Sequence, residues 1–198
     1  SSFSSFMVKW VEIEYQIYDE NGVLVEKTNE PLILPLGFGI LNKEIEEKLS
    51  SSEYGKEYSF LLKKPFGERN PDLIKIIPIT EFYKRNINPV PDLVVNVDGM
   101  IGIVRSVNSG RVIVDFNHPY AGKDLLYVIN LNREVTDLKE KIIGILSITY
   151  NLSKSKFEVN IDENNKQINI NVKDLNLGKE QKEIIKKFIP EIKDYNIE

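Results

Sequence analysis

The pair Asn21-Gly22 constrains this chain more than any other two residues. Asn-Gly is the strongest short hairpin signal, because a tight turn between antiparallel strands needs residues that tolerate positive φ. Here it separates two runs of strand character. From Val8 and Trp10 onward, Val11, Ile13, Tyr15 and Ile17 alternate with polar residues at period two, and Val23-Leu24-Val25 follows the turn. Such spacing predicts an antiparallel sheet with one face in a core. Pro31 and Pro35 frame a further extended run, Leu32-Ile33-Leu34. Gly37-Phe38-Gly39 then turns the chain into a short helix in which Leu41, Ile45 and Leu49 form one apolar stripe, with Lys43, Glu44, Glu46, Glu47 and Lys48 facing water.

The next strand, Tyr58 to Leu62, ends at Pro65-Phe66-Gly67. A second unit is expected from about Thr80. In it Leu93 to Val97, Met100 to Val107 and Arg111 to Phe116 read as short strands joined by Asp98-Gly99 and Ser109-Gly110. Tyr127 to Leu131 reads as another strand. From Val135 the pattern changes to helix, strand, strand, helix, carried by Leu138, Ile142, Ile145 and Leu146, then Phe157, Val159 and Ile161, then Ile168, Ile170 and Val172, then Ile184, Ile185, Phe188 and Ile189. The expected division is therefore residues 1–6 as a tag or processing remnant, a first domain over 7–79 and 124–134, an inserted one over 80–123, and an α+β domain over 135–198.

Composition narrows the chemistry. With 41% hydrophobic and 28% charged residues among 198, the chain reads as an ordinary globular protein. Lys and Arg number 26 against 30 Asp and Glu, and a net charge of −4 with both signs interspersed argues against nucleic acid or a membrane surface as partner. No cysteine is present, which removes thiol catalysis, disulfides and Cys-ligated metals. His118 is the only histidine, so multi-His metal sites and two-His acid–base pairs are excluded. Lying in Asn117-His118-Pro119, it reads as a turn residue bonded to backbone. No cofactor is expected, and Ser1 to Phe6 lack the charged start and apolar core of a signal peptide. The expected location is cytoplasmic.

Three segments together resemble one family, the FK506-binding-protein type of peptidyl-prolyl isomerase, in its SlyD-like and long archaeal form. The first is Val11-Glu12-Ile13-Glu14-Tyr15, with the Asp19 to Glu26 hairpin and Leu36-Gly37-Phe38-Gly39 leading into Leu41 to Leu49. The second is Pro65-Phe66-Gly67 with Arg69-Asn70-Pro71 and Ile77-Pro78. The third and most specific is Val112 to Leu125, with Val114-Asp115-Phe116-Asn117-His118-Pro119-Tyr120-Ala121-Gly122 at its centre. The resemblance covers about Met7 to Val135; the last third matches only loosely the extra domain of long archaeal members.

The resemblance implies an α+β fold: a wrapped antiparallel sheet crossed by one helix, a small β domain inserted in the flap, and an apolar prolyl pocket. The implied pocket residues are Tyr15, Val25, Glu26, Leu32, Leu36, Leu41, Asn42, Ile45, Phe66 and Tyr127. Glu26 stands for the family's usual aspartate, Ile45 for its frequent tryptophan floor, and Phe66 for a tyrosine whose hydroxyl contacts substrate. Asn42 occupies the position whose backbone N–H holds the substrate carbonyl. The inserted domain is implied to recruit unfolded chains through apolar residues drawn from Phe82, Tyr83, Ile87, Val90, Leu93, Met100, Ile101 and Ile103, about half of which must instead fill its own core. Implied partners are unfolded or proline-containing polypeptides, FK506-like macrolides, and a second copy of the chain through the C-terminal domain. The alternative is a holdase with a weakened or inactive isomerase pocket, toward which Phe66, Glu26 and Glu44 all point.

Overall fold

The hairpin announced by Asn21-Gly22 is present, with a wider turn than the dipeptide alone suggests. In the computed structural model, which describes residues 8–198, β1 (Trp10–Tyr18) and β2 (Leu24–Lys27) pair antiparallel with Tyr18 opposite Leu24. Asp19–Val23 make the connection. Gly22 alone carries the positive φ, at 75°, while Asp19 Oδ1 accepts from the Asn21 amide at 2.9 Å. An aspartate side chain therefore does part of the turning. The expectation for residues 1–6 lies outside the described residues.

The chain continues through β3 (Leu32–Pro35), α1 (Lys43–Ser50), β4 (Lys56–Leu62), β5 (Ile74–Pro78), α2 (Ile79–Tyr83), β6 (Val94–Val97), β7 (Met100–Asn108), β8 (Arg111–Asp115), β9 (Leu125–Val135), α3 (Leu138–Tyr150), β10 (Phe157–Asp162), β11 (Gln167–Val172), α4 (Lys179–Phe188) and β12 (Asn196–Ile197). The result is a mixed α+β fold with three largely antiparallel sheets. It divides into two compact units. One comprises the described residues up to Tyr18, Gly22–Phe60 and Leu126–Glu198; the other comprises Asp19–Asn21 and Leu61–Leu125.

The first unit is built on a five-stranded sheet in the order β2-β1-β9-β4, with β3 also on β1. Ile13 lies opposite Leu131, Tyr15 opposite Ile129 and Ile17 opposite Tyr127, so these six share one face. Helix α1 buries Ile45 and Leu49 completely, as its stripe predicts. Glu46 departs from that reading, being only 3% exposed where a solvated side chain was expected. Its Oε1 accepts from the Gly37 amide at 3.0 Å, so the loop entering the helix folds over it.

The helix–strand–strand–helix pattern after Val135 is also present. Its apolar residues join those of the first strands in one cluster: Trp10, Ile33 and Val135 belong with Ile142, Ile145, Phe157, Val159 and Ile168. Helix α3 packs on both β3 and β10. The approach to β3 is close enough that a Cβ on Gly144 would stand 2.6 Å from the Ile33 carbonyl oxygen. Asp137 caps the start of α3 by accepting from the Glu140 amide at 3.0 Å, and Asn151 ends it in the left-handed conformation. The apolar cluster thus runs across the position at which sequence drew a boundary.

The second unit holds a four-stranded antiparallel sheet in the order β5-β8-β7-β6. Its core is small: Phe82, Val95, Val104, Val112 and Val114. The sheet begins at Ile74, ahead of the expected start near Thr80, because β5 pairs along the whole of β8. Apart from Asp19–Asn21, this unit runs in sequence from the end of β4 to the start of β9, which are neighbours in the sheet of the first unit.

Candidate functional site

Tyr15, half-buried in the middle of β1, is the residue around which the expected pocket gathers. The Tyr15 hydroxyl donates to Glu26 Oε1 at 3.3 Å. Burial first, then the Glu26 carboxylate beside it, push the Tyr15 phenol up to about 12. Tyr15 therefore keeps its proton and remains an O–H donor at any ordinary pH. Tyr127, one step along the diagonal on β9, lies near enough to add to that shift.

Tyr15, Glu26 and Leu32 line a cleft of about 430 Å³. Val25 and Leu41 are half-buried, whereas Ile45 has no exposure at all and belongs to the core as this structure stands. Asn42 is the N-cap of α1, its Oδ1 accepting from the amides of Glu44 at 2.9 Å and Ile45 at 3.4 Å. A cap residue's own amide has no partner within the helix, which leaves it suited to an incoming carbonyl. Leu36 is buried and lines a different cleft, beside Lys9, Gly37 and Glu46. Of the ten expected pocket residues, three thus line one cleft and Tyr127 shares their face of the sheet; Phe66 belongs to the second unit.

In that unit Phe66 stacks on His118, ring centroids 4.2 Å apart and nearly parallel, with Tyr120 edge-on to it at 5.7 Å. His118 Nδ1 accepts from the Tyr120 amide at 3.0 Å, the turn role read from sequence. Beneath this stack, the motif segments that carried the resemblance are clasped together. Asn117 Oδ1 accepts from the Asn70 amide at 2.8 Å, and Asn117 Nδ2 donates to the Asn70 carbonyl at 3.1 Å. Buried Asp115 is the hub. It accepts from Asn117 backbone and side chain, both at 2.9 Å, and is paired with Arg69 and with Arg105 at 3.4 Å. Burial alone would raise the Asp115 carboxyl, but the bonds from Arg69 and Asn117 outweigh it and hold the group down at about 2. Sequence reading singled out both motif segments but assigned no role to Asp115 within them, because the bonds that make it the hub join residues some 46 positions apart.

Of the eight candidates for recruiting unfolded chains, Phe82 is buried in the small core, Ile87 and Leu93 pack against it, and Ile103 is half-buried. Tyr83, Val90, Met100 and Ile101 are exposed, Ile101 at 67%. Ile74, Ile76 and Val94 are exposed too and were not anticipated, although period two in their strands marks them as outward-facing.

Comparison with known proteins bears on both units. Residues 75–120 match the family described as FKBP26, IF domain. The probable FKBP-type 16 kDa peptidyl-prolyl cis-trans isomerase of Pseudomonas fluorescens is 28% identical over 136 residues, covering 65% of this chain and 88% of the relative. The FKBP-type peptidyl-prolyl cis-trans isomerase SlyD of Pasteurella multocida is 31% identical over 140 residues, covering 64% and 68%. The short-type peptidyl-prolyl cis-trans isomerase of Methanocaldococcus jannaschii is 30% identical over 108 residues, covering 54% and 69%.

Proposed function

The chain belongs to the FKBP-type peptidyl-prolyl cis-trans isomerases, and on that footing we propose that it catalyses rotation about X-Pro bonds in unfolded or partly folded polypeptides. The observation that carries the reading is the half-buried Tyr15 beside Glu26 at the mouth of a cleft, on a sheet face otherwise lined by buried isoleucine and leucine. Amide resonance sets a rotation barrier of about 20 kcal/mol, and the twisted transition state has lost the charge separation of the planar bond. Taking that bond from water into an apolar site disfavours the planar form more than the twisted one. Tyr15 keeps its proton, donates a hydrogen bond to Glu26 and presents its ring to the cleft, and the Asn42 amide is available to the substrate carbonyl. No nucleophile or metal enters the reaction.

Relatives named as isomerases favour catalysis over a holdase with an inactive pocket. We place recruitment of unfolded chains on the second unit, an inserted chaperone domain presenting Tyr83, Val90, Met100 and Ile101. A site of weak affinity tethered to a catalytic one raises the effective substrate concentration into the millimolar range. FK506-like macrolides are expected to compete for the prolyl pocket. The test is exchange spectroscopy on a short peptide with an apolar residue before proline. Acceleration by the protein, inhibited by FK506 and strongly reduced in Tyr127→Ala, supports the reading. Exchange no faster than in buffer refutes it.

A further inference from the structure

The cleft that begins at Tyr15 and Glu26 has a second wall that belongs to the C-terminal third of the chain. Opposite Leu32 and the Thr28–Glu30 strap stand Ile148, Asn151 and Leu152, the last turn and exit of α3. The two walls are fastened to each other. Glu30 Oε1 accepts from the Lys154 amide at 2.7 Å, and Glu30 Oε2 accepts from the Ser153 hydroxyl at 2.9 Å. The strap is fixed to β1 in turn, the Thr28 amide donating to the Tyr15 carbonyl at 3.0 Å and the Tyr15 amide to Thr28 Oγ1 at 3.2 Å. On the far side, the Ser147 hydroxyl donates to the Leu152 carbonyl and holds the exit of the helix in place.

We propose that this cleft is a subsite for the polypeptide flanking the isomerised proline, so that residues 147–153 set preference for extended substrates. The proposal rests on the prolyl-pocket reading of Tyr15, Glu26 and Leu32, which form one end of the same space. A volume of about 430 Å³ lies within the range of ligand sites, and the lining combines apolar side chains with carboxamides, hydroxyls and the charged Glu26, Lys27 and Glu30. Leu32, Ile148 and Leu152 suit a substrate side chain; Asn29, Asn151 and Ser153 suit its peptide groups. Leu152 is 37% exposed at the exit of α3, an apolar cost in water that a bound chain would relieve.

The test measures kcat/KM of full-length wild type, Leu152→Asn and Ile148→Thr on a short Xaa-Pro peptide and on the same sequence lengthened on both sides. Thermal melting verifies that each variant is folded, and Leu152→Asn, at an exposed position, serves where Ile148→Thr does not fold. The expected result is a rate on the short peptide within about twofold of wild type, with a loss of about fivefold or more on the long one, chiefly in KM. Equal effects on both peptides, or none on either, overturn the inference while leaving the isomerase reading intact. A change of molecular mass in light scattering overturns it too, assigning the cleft to contact between two copies. Wild type inactive on the short peptide refutes the prolyl-pocket reading itself, and the subsite with it.

Discussion

The first unit buries most of its large apolar side chains, Val23 and Leu24 at the hairpin being the most exposed at 56% and 43%, whereas the smaller second unit displays many of its own. Trp10, Ile13, Leu34, Ile129, Leu131, Ile142 and Ile168 are all fully buried, and one cluster joins Trp10 to Ile142 and Ile168 from distant parts of the chain. The core cluster of the second unit's sheet holds only five buried apolar side chains, while Ile74, Ile76, Val94, Met100 and Ile101 stand 42–67% exposed. A four-stranded sheet with only α2 added has too little chain to cover both its faces, and a group of exposed apolar residues marks a place for partners. The contrast teaches that enclosure and display are unevenly divided between the units, as the proposed function requires if one is to shield a bond and the other to hold a chain.

The largest expected effect comes from cutting the enclosed core. Ending the chain at Glu134 removes Val135 and the whole of α3, stripping Trp10 and Ile33 of their cluster. The remainder is expected to lose its cooperative thermal transition; a fragment that melts sharply and isomerises peptides would show that the core is not shared. Next is Gly144→Ala. At an exposed helical position this change stabilises by about 0.4–1 kcal/mol. Here the added methyl meets the Ile33 backbone, and destabilisation of about 2 kcal/mol in urea melts is expected. A neutral result would mean α3 sits farther from β3.

Acid should act on the second unit through Asp115. Its carboxyl titrates lower folded, at about 2, than unfolded, so the stabilisation is complete above about pH 4 and disappears as pH falls through 2. Glu30, lowered chiefly by the Lys154 amide, behaves with the same sign in the first unit. Far-ultraviolet circular dichroism followed against pH in Asp115→Asn should show that acid limb flattened; an unaltered acid limb would dismiss the hub. The smallest change in stability is expected for Ile76→Ser and Ile101→Ser on the displayed face, within about 0.5 kcal/mol of wild type. Suppression of client aggregation is nevertheless expected to fall, and its persistence would remove the functional meaning of that face.

Local pattern made the strands and α1 legible: period two exposed Val11 to Ile17, and fourfold spacing exposed Ile45 and Leu49. The resemblance supplied Tyr15, Glu26 and Tyr127, which periodicity alone reads as ordinary strand positions. What stayed hidden depends on contacts between distant residues. The burial of Glu46 follows from the Gly37 amide, and β5 was masked by two prolines nearby. The joining of Trp10 and Ile33 to Ile142 and Ile168 spans more than a hundred residues and leaves no mark in any window of sequence. Glu30 likewise looks like a solvated loop charge until Ser153 and Lys154 are brought to it.

The division between enclosure and display is tested most directly by one paired measurement: acceleration of a short X-Pro peptide and of proline-limited refolding of an unfolded protein, in wild type and in the double variant Ile76→Ser, Ile101→Ser. The account predicts a peptide rate within about twofold of wild type and a refolding rate reduced by about tenfold, because only the second reaction draws on the tethering surface. Equal losses in the two reactions, or unchanged refolding, would contradict it.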